Sequence, residues 1–244
     1  MANKSPVKNQ GKAQQTALAP LFERLKARHR AERDAYAEPW ASSFNLRIHR
    51  ALSWLHKAEL SGGDPDTQFL ALWIGFNAAY AGGIGGQIEG RAALAERESF
   101  QGMLSKLCRM DEDGMLAAML WMRASGPVKS ILDNEYIYQP FWDDLNGSVR
   151  AANWRKKFDS DKQAAYSAVM AKDAPQVLSI LFERLYVLRN QIMHGGATWN
   201  SSANREQLKS ACKLLLGLLA IFIELMLNQP QEFDSPPFYP NIGA

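Results

Sequence analysis

The segment LFERLYVLRNQIMHGG (181–196) holds the residues with the clearest chemical content. Histidine takes and gives protons near neutral pH. Arginine grips a phosphate through two parallel donors and stabilises charge that develops on it. RNA brings its own nucleophile, the 2′-OH. Arg189 and His194 therefore have the chemistry to cleave RNA by internal transesterification, with no metal and no protein nucleophile. Asn190 and His194 are four apart and share a helix face. Arg189 and His194 are five apart, about 140° around a helix. One helix converges them poorly on a single phosphate, whereas two copies related by a two-fold axis can. The same two cations also suit the negative end of a helix for purely structural reasons.

Leu181, Leu185, Leu188 and Ile192 make an apolar stripe, so the helix that carries these groups packs into a core. Around it the chain reads as all-α. Ala and Leu number 61, whereas Val, Ile and Thr number 20, a balance that favours helices over sheets. The pattern predicts about eight helices in one domain over 18–228. It places a disordered basic tail at 1–17 and an extended, proline-rich tail at 229–244. Phe44, Ile48, Leu52 and Leu55 mark one helix to about Leu60, and Ser42 or Ser43 is its cap. Asp64 and Pro65 open the next, to Tyr80, which is apolar nearly all round and therefore central. AGGIGGQIEG (81–90) reads as a glycine-rich loop. Met115, Met119 and Met122 read as packing residues on a helix that ends at Gly126-Pro127. The stretch 133–147 reads as irregular, and two short helices follow near 148–157 and 160–171. Asp173 and Pro175 start the helix that ends at His194, and Ser201 or Ser202 caps the last one, to about Asn228.

Charge is unevenly distributed. The 244 residues carry a formal +3, but residues 1–33 alone hold +6 and the remainder −3. Lys26, Arg28 and Arg30 on this arm are candidate phosphate contacts, or else a solvated charged face. Tyr136, Tyr138, Phe141 and Trp142 suit base stacking or packing. Cys108 and Cys212 stand alone and read as reduced thiols in a cytoplasmic protein. The run Leu214–Ile223 is about half the length a bilayer needs, so a core helix is expected and no membrane partner. No P-loop, G-x-S-x-G or H-E-x-x-H string occurs, and His49 and His56 lack a third ligand nearby. No metal and no cofactor is expected.

Arg189-Asn190-x-x-x-His194 resembles the R-x4–6-H motif of the HEPN superfamily, including the polar residue after the arginine. FLALWIGFNAAY (69–80) is similar to the W-x-x-F-N-x-x-Y helix of some HEPN branches, Apea-like ones included. Arg24 to His29 and Arg50 to His56 fit the spacing too. What singles out Arg189 and His194 is Asn190, the Gly-Gly that follows and the apolar helices on either side. The resemblance implies a helical bundle that forms a homodimer, with two motifs meeting at a cleft. It implies a metal-independent endoribonuclease, often a toxin paired with an antitoxin or a phage-defence effector, leaving a 2′,3′-cyclic phosphate and a 5′-OH. His194 would be the general acid and base, Arg189 the phosphate ligand and Asn190 an orienting group. Asn77 and Tyr80 would support the site or satisfy the core. Some members of the superfamily are non-catalytic interaction modules. A third reading is a nucleic-acid-binding protein that uses the 1–33 arm. The segment 81–175 has no role in the resemblance.

Overall fold

A computed structural model describes residues 20–35, 42–80 and 92–233. Among these the chain forms ten α-helices and no strand: α1 (Leu21–Ala35), α2 (Ser42–Leu60), α3 (Pro65–Tyr80), α4 (Ala92–Met110), α5 (Met115–Ala118), α6 (Ser125–Leu132), α7 (Gln139–Leu145), α8 (Trp154–Met170), α9 (Ala174–Met193) and α10 (Arg205–Asn228). The expected glycine-rich loop and most of both expected tails lie outside the described residues.

The starts of the central helices follow from local chemistry. Asp64 Oδ1 accepts from the amides of Asp66 and Thr67, satisfying donors that the first turn of α3 leaves free. Pro65 sits where its missing N–H costs nothing. Asp173 does the same for α9 by accepting from the Gln176 amide. At the far end of α3 the buried Arg47 donates to the Ala79 carbonyl from Nε (3.1 Å) and Nη2 (2.8 Å), and to Phe233 from Nη1 (3.1 Å).

One contiguous buried cluster links α1–α6, α8, α9 and α10. Phe76 of α3 meets Phe182 of α9 and Phe222 of α10 edge-on, each with ring centroids 5.2 Å apart. At Gly75 a β-carbon would stand 2.7 Å from Leu219 Cδ2, so glycine lets α3 and α10 approach closely. Helix α10 as a whole is long and apolar enough to cross a membrane, although its uninterrupted apolar run is not, and it lies in the core, with Leu214, Leu215, Leu218 and Phe222 fully buried. The described part of the segment 81–175 contributes to that core through Leu104, Leu107, Leu116 and Ile131.

Several expectations are corrected. Among the described residues the α-helices number ten rather than about eight. Gly126-Pro127 begins α6 instead of ending its predecessor, because proline is as welcome in a first turn as after a last one. A π-helical turn, Met119–Arg123, precedes α6 and rotates Met122 out to 80% exposure, so Met122 does not pack. The stretch 133–147 contains a 3-10 turn (Glu135–Ile137) and α7. A single helix, α8, spans most of the two short ones expected. Asn204, in the left-handed region at φ 55°, precedes α10 in place of Ser201 or Ser202. The chain also stays with the core past 228. Pro230–Phe233 is a 3-10 turn with Pro230 and Phe233 buried, not extended tail.

Candidate functional site

The three motif residues lie at the C-terminal end of α9, with Arg189 and Asn190 in its final turns and His194 as its C-cap. Leu181, Leu185 and Leu188 are buried and fix this helix against the core, while its end stands in solvent. His194 has left helical geometry (φ −99°, ψ 14°), although its amide still donates to the Asn190 carbonyl at 3.0 Å. Gly195 then takes φ 74°, a conformation that stops the helix and suits glycine. His194 is exposed.

Arg189 is half-buried. Its Nη1 donates to Asn190 Oδ1 at 2.9 Å, and the guanidinium lies 5.9 Å from the Tyr186 ring centroid. Its Nε is buried with no hydrogen-bond partner among the described residues. Asn190 and His194 share a face by helical spacing. The bond to Asn190 therefore ties the guanidinium to the residue that helical spacing puts on His194's side of α9.

A polar hub missed by sequence reasoning steadies this end. Gln191 Nε2 donates to the Tyr136 carbonyl at 2.6 Å, and Trp142 Nε1 donates to the same oxygen at 2.8 Å. Asn204 Nδ2 donates to Gln191 Oε1 at 3.3 Å. The buried Asn134 accepts from the Tyr136 amide at 2.7 Å and reaches Asn204 Oδ1 at 3.5 Å. The one available signal was Asn134 itself, a capping residue type just before Glu135-Tyr136.

Asn77 and Tyr80 do not join the motif within one chain. Trp73 lies against Phe182 and Tyr186, Phe76 against Phe182, and Tyr80 against Phe100, which itself packs on Phe182. Helices α3 and α9 therefore run antiparallel, and Tyr80, one turn past Phe76, lies no closer to Arg189 along α9 than Phe182 does. Phe182 is seven residues before Arg189, about 10 Å along the helix. The aromatic positions of FLALWIGFNAAY hold α9 in place rather than line its end. Asn77 is half-buried on the same distal half of α3.

The basic residues of α1 are farther away. Lys26 lies over the Phe22 ring, and Arg28 pairs with Glu32 and Glu224 and bonds to Asn228. Arg30 is exposed. These contacts put Arg28 beside the end of α10, whereas the loop from His194 enters its beginning at Arg205. The helix between spans about 35 Å. Tyr138 and Phe158 enclose Arg184, and Tyr136, Phe141 and Trp142 pack edge-on, so this aromatic group is mainly structural.

Burial pushes the thiols of Cys108 and Cys212 up, to about 11 and about 12, so both stay protonated near neutrality. Among the described residues no three His, Cys, Asp or Glu side chains converge. No family model, curated protein or solved structure matches this chain.

Proposed function

We propose that this chain is a metal-independent endoribonuclease of HEPN type, active as a homodimer in which two α9 ends face one cleft. The reading rests on the resemblance of the 189–194 segment. The observation that supports it is the Arg189–Asn190 hydrogen bond next to an exposed His194, with Asn190 four residues before the histidine. In the proposed step His194 takes the 2′-OH proton as O2′ bonds to phosphorus. The bond from phosphorus to O5′ breaks, and a protonated imidazole, that of the second copy, supplies the proton to O5′. Arg189 neutralises the charge gathering on the non-bridging oxygens. The products are a 2′,3′-cyclic phosphate and a 5′-OH.

Purified protein is expected to cleave RNA in EDTA. His194→Ala should reduce the rate about 100-fold or more and leave the melting temperature nearly unchanged, because the ring is exposed. Equal activity in wild type and variant would end the proposal.

A second reading, a non-catalytic module that dimerises or binds a protein partner, draws on the exposed Tyr186 and Met193 flanking the motif. It predicts no cleavage, and an Arg189→Ala effect confined to assembly.

A further inference from the structure

A cleft of about 670 Å³ opens between the α2–α3 corner (Gly62, Gly63), the α9–α10 loop (Asn200) and one face of α10 (Arg205, Lys209, Lys213). The three basic residues recur every fourth position, so they lie in a row with about 6 Å of rise between neighbours. Their acidic neighbours are largely committed. Asp66 holds Arg205 at 2.5 Å in a pair with little solvent access, and Arg205 Nε donates to the Ser201 carbonyl. Asp64 accepts from the Thr67 hydroxyl and from the Trp199 indole N–H. Glu206 pairs with Lys209 at 2.9 Å, but those side chains are 76% and 50% exposed, and such pairs are weak. Lys213 has no ion-pair partner among the described residues.

Trp199 adjoins this cleft in the chain, next to Asn200, which lines it, and its indole reaches Asp64, between the lining residues Gly63 and Pro65. It is 71% exposed, and its Nε1 donates to Asp64 Oδ2 in a long bond of 3.4 Å, so a large flat ring is presented to solvent. A row of cations beside an exposed aromatic ring is the arrangement that binds single-stranded nucleic acid, by phosphate neutralisation and base stacking. The loop bearing Trp199 begins at His194. Five residues of chain reach at most about 18 Å, so a strand leaving the cleft past Trp199 arrives at the end of α9 within a few nucleotides.

We propose that this cleft takes the backbone of a single-stranded segment of the RNA substrate, with Lys209 and Lys213 on consecutive phosphates and Trp199 stacked on a base. The choice of RNA rests on the nuclease reading above. The cleft itself is probed separately from cleavage, with a labelled, fully 2′-O-methylated oligoribonucleotide that cannot be cut.

Fluorescence anisotropy with wild-type protein should show binding that weakens with salt. Removing two phosphate contacts, in Lys209→Ala/Lys213→Ala, should lower the slope of log affinity against log salt by about 1.4. Trp199→Ala should lose about 5- to 150-fold in affinity, and Trp199→Phe should recover most of it. Both lysines are exposed, so melting temperature checks that the double variant is folded. No binding by wild type, an unchanged slope in the double variant, or displacement by polyglutamate as effective as by unlabelled RNA would overturn the proposal. If wild type cuts RNA but the double variant binds normally, the cleft is refuted and the nuclease survives. If the slope falls but no RNA is ever cut, the cleft stands and the nuclease does not.

Discussion

Arg184 and Arg189 stand five residues apart on α9 and have opposite surroundings. Arg184 is 4% exposed, with its guanidinium 4.1 Å from the Tyr138 ring centroid and 5.0 Å from that of Phe158. Beside it the Tyr138 hydroxyl donates to Asp161 at 2.7 Å. Burial holds Arg184 below the ordinary arginine value. Arg189 faces the open end of the helix, bonded to Asn190 and only loosely against Tyr186. One arginine is enclosed by α8 and the 135–138 turn and fixes their packing. The other is half-buried beside the exposed end of the helix. Residue type and helix are the same, so the difference lies in what other elements bring alongside.

Arg184→Ala is expected to have the largest effect on stability. It removes two cation–ring contacts and a buried stem, and should cost about 3 kcal/mol in denaturant unfolding. Arg184→Met, which keeps the stem's volume, should cost less. If Arg184→Ala were silent, the structural half of the comparison would collapse.

Asp66→Asn is next, at about 2 kcal/mol, because it leaves Arg205 without its charge partner where the α9–α10 loop meets α3. It sharpens the comparison by loosening the region beyond Arg189 without touching Arg184. Arg189→Ala should cost less than about 1 kcal/mol while reducing cleavage about 100-fold. A stability loss equal to that of Arg184→Ala would mean the two arginines are alike.

The smallest effect is a pH dependence centred on Arg184's neighbour. Burial, and then the bond to Asp161, push the Tyr138 hydroxyl well above the ordinary tyrosine range. Partial burial and a bond to Asp133 push Tyr166 up to about 12. The unfolded chain ionises these groups near pH 10. Their contribution is therefore whole below about pH 10 and is lost as pH rises through about 12. The urea midpoint should fall across that window, and fall less steeply in Tyr138→Phe.

Much of this was legible in the chain. Capping by Asp64 and Asp173, the apolar stripe of α9 and the stop at Gly195 are local effects, settled within a few residues by hydrogen bonding and backbone sterics. Other features were ambiguous on the same local grounds. Gly126-Pro127 suits the end of one helix and the start of the next equally well. Met122 looked like packing until a π-turn rotated it outward. Tyr80 and Asn77 carried the right residue types for a site, but the antiparallel crossing of α3 and α9 set them about two turns from it.

By itself the sequence determined the all-α character, the long helices α3, α9 and α10, the buried character of α10 and the presence of arginine, asparagine and histidine at one helix end, because periodicity and capping act over short range. Only the tertiary structure decided which arginine is enclosed and that the basic arm of α1 lies at the other end of α10. It alone brought Asn200, the neighbour of Trp199, together with Lys209 and Lys213 around one cleft. Those facts depend on which distant segments meet, and the meeting is set by how complementary surfaces fill a common core.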